Sequence, residues 1–555
     1  MNVKIALSVA GLLCGMDGYT QFMGPTYPDT YYPLIDVSQR SNWGPYNVHD
    51  PSVIKSGEWF YMFSTDAMVA YSPPAIVGLQ VRKSKDLINW QFVGFAFDGI
   101  PQEAKDHLSA NGKKAESIWA PYITKYKDEF RLYYCVSAFG TTISYLGMAV
   151  SNSLEGPWTQ KGCIVKTTGS DFMNAIDPTV VTGKDGKQYL GYGSWFGGLY
   201  MKNLVDSTGM AADVNDKGWI IARRSGSGLE APEIVFNPAE NKYYLFVSYD
   251  ALIDNYNVRV GRSDYPTGPF YDIQGKDMAL QTDNLLMILN PYKFLDHSGW
   301  QGTGHCSVIS DNGQFYIINQ GRPVVDKYMM DCHVRKIEWI NGWPIASPER
   351  YGGTPFEGPP PVDSILSNRW EHVVLEYSSS FSLDAPTLIE LRSDGTISGD
   401  TNTQWSYSDG QLSLHWNNNQ TVDTCKVWYE WDWEKRKVCM VYSGIRNTKY
   451  CIWGKSTIKA LPSSLNDKYT GNSASDIEVY PNPARNGFFY IDVKVIKDKN
   501  LTIRILDSNG SVIRTLQVGN TGIIRLTTNG LNGLYFIQVI SSAGVYTRKI
   551  VAICP

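Results

Sequence analysis

The chain has 555 residues, 43% hydrophobic and 13% aromatic, with a formal charge of −4. This is well-cored globular material, long enough for more than one domain, which excludes a disordered chain and gives no reason to expect nucleic acid as a partner. At the N-terminus Lys4 precedes a mostly apolar run from Ile5 to Met16. The run is too short to span a bilayer and fits the h-region of a secretory signal covering 1–20. Leu12-Leu13-Cys14 would suit a lipidation site, but the residue before the cysteine is not small. No later segment has the length and apolarity of a transmembrane helix. Nine cysteines occur without a CxxC, so a zinc ribbon is not expected. Export permits disulfides, and Cys425, Cys439 and Cys451 are close enough in sequence for one pair among them.

Residues 22–352 carry a unit written five times. Asp50-Pro51-Ser52-Val53-Ile54 leads through Ser56-Gly57 to Phe60-Tyr61-Met62-Phe63. Ala120-Pro121-Tyr122-Ile123 leads through Lys127-Asp128 to Leu132-Tyr133-Tyr134. Asp177-Pro178-Thr179-Val180-Val181 leads through Asp185-Gly186 to Tyr189-Leu190-Gly191. Ala231-Pro232-Glu233-Ile234-Val235 leads to Tyr243-Tyr244-Leu245. His305-Cys306-Ser307-Val308-Ile309 leads through Asp311-Asn312-Gly313 to Phe315-Tyr316-Ile317. Each reads as strand, tight turn and strand, because β-branched and aromatic residues suit a pleated backbone and Gly tolerates positive φ. Recurrence at this spacing predicts a radial array, a five-bladed β-propeller.

In such an array equivalent residues of the innermost strands converge on one axis. The column before the proline position reads Asp50, Ala120, Asp177, Ala231 and His305, and the column before that His49, Trp119, Ile176, Glu230 and Gly304. Packing alone would place small or apolar residues there. Uncompensated burial of carboxylates is costly and drives their pKa values apart, so acids clustered at an axis point to chemistry. Glu233 competes with Glu230; Glu230 is preferred because it nearly abuts the proline column. Adjacent residues of a regular strand face opposite ways, so Asp50 and Glu230 share a site only if the backbone entering blade four is irregular.

Gly358-Pro359-Pro360-Pro361 reads as a stiff linker. Residues 363–462 form a second all-β unit, a small barrel or sandwich packed on the propeller, with turns at Ser393-Asp394-Gly395, Ser408-Asp409-Gly410 and Asn417-Asn418-Asn419. Its Trp405, Trp416, Trp428, Trp431 and Trp433 suit either a β-core or sugar stacking. Ser463 to Asp476 is a polar, serine-rich linker, and 477–555 has the regular short strands of an Ig-like sandwich.

The first 350 residues resemble glycoside hydrolase family 43, and within it the endo-acting α-1,5-arabinanases. The resemblance rests on His49-Asp50-Pro51-Ser52, Trp119-Ala120-Pro121, Ser84 to Trp90, Val136 to Gly140, Asn174-Ala175-Ile176-Asp177-Pro178, Gly193 to Gly198, Glu230-Ala231-Pro232 and Gly304-His305. It implies an inverting hydrolase of internal α-1,5-L-arabinofuranosyl linkages, acting on arabinan or pectic side chains. Asp50 would be the general base, Glu230 the general acid, and Asp177 the residue that tunes and holds Glu230. Trp119, Gly140, Asn174, Ala175, Ile176, Ser194, Trp195 and Phe196 would line the substrate site, and His305 would sit near a calcium ion, mostly through water. Single-displacement hydrolysis needs one protonated and one ionised carboxyl across the sugar, and a third carboxylate raises the acid's pKa. Exo-acting furanosidases or xylosidases of the same family, retaining fructan-active propellers and a non-catalytic sugar-binding propeller are the alternatives. The fructan enzymes pair their first Asp with an Arg-Asp-Pro, and Ile176 stands where that Arg would be.

Residues 363–462 resemble the C-terminal β-domain of larger arabinanases, through Arg369-Trp370-Glu371, the turn from Leu391 to Gly395 and Ile452-Trp453-Gly454-Lys455. Residues 477–555 resemble the C-terminal sorting domain of the Bacteroidetes type IX secretion system, through Tyr480-Pro481-Asn482-Pro483, Asp507 to Gly510, Gly533-Leu534-Tyr535 and Lys549-Ile550-Val551. Together they imply a secreted or surface-held enzyme that meets the secretion machinery and acts as a monomer.

Overall fold

The computed structural model describes residues 22, 24–31, 38–68, 75–281, 283–366, 368–457, 477–480, 484, 488–493, 496–507, 512–528, 531, 533–542 and 544–552. The expected signal at 1–20, the serine-rich linker, Pro481 to Pro483 and the turn Ser508 to Gly510 lie outside the described residues. The chain divides into two compact units, Met1–Ala460 and Leu461–Pro555.

The five repeats become five four-stranded antiparallel sheets, the blades of a propeller. Their innermost strands are Ser52–Ser56, Trp119–Tyr126, Thr179–Thr182, Leu229–Asn237 and Cys306–Asp311. Each pairs with the next strand of its repeat in the register that the sequence pattern implies, Val53 opposite Met62 and Val180 opposite Leu190. Trp300–Gln301 adds a short fifth strand to the last sheet.

A belt of inter-blade hydrogen bonds closes the ring, and it uses one repeat address throughout. The residue two after the column donates to or accepts from the backbone of the next blade. Ser52 Oγ accepts from Ile123 N at 3.0 Å. The Tyr122 hydroxyl donates to Val180 O at 3.0 Å. Thr179 Oγ1 accepts from Ile234 N at 3.2 Å. Glu233 Oε1 accepts from Val308 N at 3.0 Å. Ser307 Oγ accepts from Val53 N at 3.1 Å and returns the belt to blade one. These backbone groups are buried, where each unmade bond would cost about 1–3 kcal/mol. A second seam joins the two ends of the propeller segment, with Asn47 N donating to Met330 O and Cys332 N to Pro45 O.

Residues 369–456 form one seven-stranded antiparallel sheet. Its edge strands Thr387–Glu390 and Gln404–Ser408 are brought together through the turn between them, where Trp405 N donates to Gly395 O at 3.0 Å. The result is a small barrel, one of the two forms expected. Trp405 and Trp416 pack against its core. Trp433 is buried with Nε1 on Arg350 O, and Trp405, Trp416 and Trp428 also donate within the barrel. The barrel shares a core with blade five, where Val373, Leu375, Cys451 and Trp453 pack among Ile337, Ile340 and Tyr292. The pairing expected among Cys425, Cys439 and Cys451 is corrected: all three are buried free thiols. They sit on the barrel's paired strands; Cys425 and Cys451 serve as small apolar core residues, and Cys439 is buried beside the charges of Glu349, Asp432 and Lys455.

The second unit is a sandwich of a three-stranded and a four-stranded sheet. Its core takes alternate residues from both, including Phe489, Ile491, Ile503, Ile505, Ile537 and Val539.

Candidate active site

Four of the five column residues lie in the left-handed region: Asp50 at φ 47°, Asp177 at 57°, Ala231 at 54° and His305 at 52°. Three of them precede a proline. Non-glycine residues seldom hold this conformation, and it concentrates where the fold enforces it for function. The left-handed residue breaks strand alternation, so a side chain at the column and one just before it can face the same space. In blade four the break is a register shift between Glu230 and Glu233. This is the irregularity that the pairing of Asp50 with Glu230 requires.

The three acids and His305 form one cluster, with Asp50, Asp177 and His305 buried and Glu230 half-buried. Asp50 Oδ1 lies 3.0 Å from His305 Nδ1 and 3.3 Å from His49 Nδ1, and Oδ2 accepts from Thr65 Oγ1 at 2.7 Å. Asp177 Oδ2 accepts from Ala231 N at 3.1 Å, which ties it to the residue after Glu230. Glu230 Oε2 accepts from Ser194 Oγ at 2.8 Å, and the Tyr256 hydroxyl also bonds Glu230.

Burial and charge separate the acids. Burial alone would raise the Asp50 carboxyl, but His49 and His305, with the bonds from His305 and Thr65, reverse this and hold it well below the usual carboxylate range. Burial raises Asp177; His305 opposes this, while the Glu230 and Asp50 charges add to it. Burial also raises Glu230, against the Tyr256 and Ser194 bonds. Asp177 and Glu230 therefore titrate as a pair that retains a proton where Asp50 is ionised. Burial would lower His305, but Asp50 outweighs it and pushes the imidazole up to about 9.

Glu233 is placed elsewhere. It is buried in the inter-blade belt, with Oε1 on Val308 N and Oε2 accepting from Thr179 Oγ1 at 3.3 Å. Glu233→Gln is therefore expected to lower stability by about 1 kcal/mol and to leave turnover within about twofold of wild type, as denaturation and initial rates would record.

The lining residues divide. Trp119 is half-buried and stacks edge-on with the exposed Phe139 at 6.3 Å, next to Gly140 at φ 74°. Ser194 reaches the acid directly. Trp195 and Phe196 are half-buried, and Trp195 N donates to Leu229 O, one residue before Glu230. Asn174 is buried and accepts from Ser144 Oγ, while Ile176 packs with Ala120 and Cys135. Ala175 is a correction. It has no accessible surface and belongs to the core of blades two and three, so it supports the site and does not line it.

Sequence reasoning missed Thr65, Tyr256 and Gln320. Gln320 Oε1 meets His49 Nδ1, and its Nε2 donates to Gly302 O at 3.1 Å. Thr65 directly follows the second strand of blade one, an address that the aligned columns did not include. Tyr256 lies in the long connection of blade four, with no repeat counterpart. Its ring covers Gly304, where a Cβ would come within 2.5 Å of it.

A propeller whose axis holds one ionised and two proton-sharing carboxyl groups is built for glycosidic bond hydrolysis, and the protein is a glycoside hydrolase. Residues 44–344 match the family model described as glycosyl hydrolases family 43, and the chain belongs to that family. Residues 348–454 match a C-terminal lipocalin-like domain, and 478–553 match a secretion system C-terminal sorting domain. An extracellular endo-α-(1→5)-L-arabinanase of Thermotoga petrophila is 29% identical over 471 residues, covering 77% of this chain and 96% of that one. An extracellular exo-α-(1→5)-L-arabinofuranosidase of Cellvibrio japonicus is 30% identical over 320 residues, 54% of this chain and 86% of that one. The crystal structure of endo-1,5-α-L-arabinanase from Thermotoga petrophila superposes with a TM-score of 0.66 at 28% identity, covering 74% of this chain and 98% of that chain. With its sorting domain, the chain is a secreted or cell-surface hydrolase.

Proposed function

We propose that the enzyme cleaves internal α-1,5-L-arabinofuranosyl linkages of arabinan by single displacement with inversion, after export through the type IX route. The observation that carries this is the division of the three acids into one held low and two held high. Asp50 stays ionised across the working range. It takes the proton from water as the oxygen attacks the anomeric carbon, when that water has become far more acidic than in bulk. Glu230 gives its proton to the departing glycosidic oxygen, so the leaving sugar departs neutral. Asp177 keeps that proton on the pair by like-charge repulsion, and through Ala231 N it fixes the backbone beside the acid. Ser194 and Tyr256 orient the carboxyl. Trp119, Trp195 and Phe196 offer apolar faces to furanose rings. The supporting relatives include an endo-arabinanase that aligns over most of both chains.

Digestion of linear arabinan with products sized over time tests the substrate and mode together. A ladder of oligosaccharides should appear before arabinose. Arabinose or arabinobiose alone from the first minutes would mean exo action, and no release from arabinan would remove the substrate assignment.

A calcium ion near His305 belongs to the same proposal. Its fit rests on the donor set. His305 Nδ1 is engaged by Asp50, and the raised pKa keeps Nε2 protonated, so a cation would bind Nε2 only by displacing that proton. A hard cation there would keep most of its waters. When bound it would supply positive charge close to three carboxylates. Among the described residues, three acidic ligand groups converge within 4.8 Å only at Glu349, Asp432 and Glu434, and there the Lys455 ammonium already supplies the cation. Exhaustive chelation is expected to cut activity most at acidic pH, with recovery on adding calcium. Unchanged activity and pH profile, with no metal by elemental analysis, would leave His305 as Asp50's hydrogen-bond partner alone.

A further inference from the structure

The barrel reaches the catalytic end of the propeller through one loop. Residues 376–384 lie over the connections of blades four and five. Asp384 is bonded by Asn290 Nδ2 at 2.7 Å, and Asp384 N donates to Pro291 O. Asn255 Nδ2 donates to Ser378 O at 3.4 Å, one residue from Tyr256. Tyr377 carries the closest link. Its hydroxyl accepts from Arg224 Nη2 at 2.9 Å, and its ring lies under the Arg259 guanidinium at 4.5 Å.

Arg224 spans from there to the acid's own segment. Its Nη1 donates to Gly228 O at 3.2 Å and to Asp250 Oδ1 at 2.6 Å. Asp250 N donates to Gly228 O, Gly228 N to Trp195 O, and Trp195 N to Leu229 O. Asp250 Oδ2 accepts from Asn257 Nδ2 at 3.2 Å. The two stretches that end in Glu230 and Tyr256 are thus both fastened through Arg224 and Asp250, and Tyr377 caps Arg224. Tyr377 sets its hydroxyl and ring from a second domain against Arg224, which restricts the long side chain.

We propose that Tyr377 is a positioning residue for Glu230, so that the barrel forms part of the catalytic scaffold. It touches no reacting atom. It holds Arg224, and Arg224 fixes the backbone on both sides of the acid's hydrogen bond to Tyr256. An acid displaced by a fraction of an ångström delivers its proton late, and poor leaving groups suffer most. The proposal rests on the reading of Glu230 as general acid.

The test compares two substrates on the full-length enzyme. Linear arabinan has a sugar alkoxide leaving group and needs the acid. A 2-chloro-4-nitrophenyl glycoside of α-1,5-linked arabinotriose releases a phenolate that needs little protonation. Tyr377→Ala is expected to lose about tenfold in kcat on arabinan, with KM altered less than about twofold and the aryl glycoside rate within about twofold of wild type. Tyr377→Phe, which keeps the ring over Arg259, should fall between. Tyr377 is 41% exposed, so neither change empties a core. Equal losses on both substrates, or none on either, would reduce Tyr377 to packing and overturn the proposal. A rise in KM for arabinan with kcat unchanged would make it a sugar contact and overturn it as well. Glu230→Gln is the control: if it too lacks leaving-group dependence, the acid assignment has failed first.

Discussion

Asp50→Asn and Glu230→Gln should each lower kcat on arabinan by about 10²–10⁴-fold or more while leaving the fold intact. Both changes keep the side chain's size and its capacity to accept a hydrogen bond. The amide introduced in Asp50→Asn could still meet Thr65 and His305, and the one introduced in Glu230→Gln could still meet Ser194. The first amide cannot take the water's proton, and the second cannot give one to the departing oxygen. Binding of an oligosaccharide should persist in both, which calorimetry would show. The pH dependence should follow the acids' order. Asp50 is held below the ordinary carboxylate range, so the acidic limb of kcat/KM should lie below the usual Asp value of about 3.9. Asp177 and Glu230 are both raised, so the alkaline limb reports loss of their shared proton. Near-normal turnover in Glu230→Gln would show that the acid was wrongly chosen.

Lys455→Met should be the most destabilising single change on the barrel. The Lys455 ammonium is 1% exposed and lies 2.6 Å from Glu434, 2.8 Å from Glu349 and 3.7 Å from Asp432. Burial raises Glu349 and pushes Asp432 up to about 6, while Lys455 overcomes burial to hold Glu434 at about 2. Removing the cation strands three buried carboxyl groups, and breaking a buried ion pair from one side costs about 3–5 kcal/mol. The sign of the pH dependence follows. Without Lys455 all three folded-state pKa values rise above their unfolded values, so the folded state binds more protons and loses stability as pH rises. The deficit should be full at pH 7 and shrink towards pH 4. Tryptophan fluorescence reads this unit alone, because all 17 tryptophans precede residue 454. Stability equal to wild type at pH 7 would mean that the cluster is already protonated there.

The propeller was legible because each blade must begin a strand at the axis, and the same proline, turn and aromatic order solves that problem each time. Asp50 and Asp177 were legible for the same reason: they break a column that packing would fill with small residues. Glu230 was harder, because its repeat address is out of phase with Asp50. The resolving feature is a left-handed Ala231, and nothing in an alanine announces positive φ. Ala175 shows the opposite limit: a motif can name a residue next to functional ones while burial removes it from the surface. Tyr256 and Tyr377 were not legible at all, and Lys455 was visible only as part of a motif, since each owes its role to contacts between distant segments. The barrel could be seen as a β-domain, but its fusion with blade five depends on apolar faces that meet only in the folded chain.

Proton NMR of the first minutes of linear arabinan hydrolysis tests the central claim most directly. Single displacement between Asp50 and Glu230 should release new reducing ends as the β-anomer, with the α-anomer growing in later by mutarotation. Reducing ends that appear first as the α-anomer would mean a covalent intermediate, and would contradict the division of labour among these three acids.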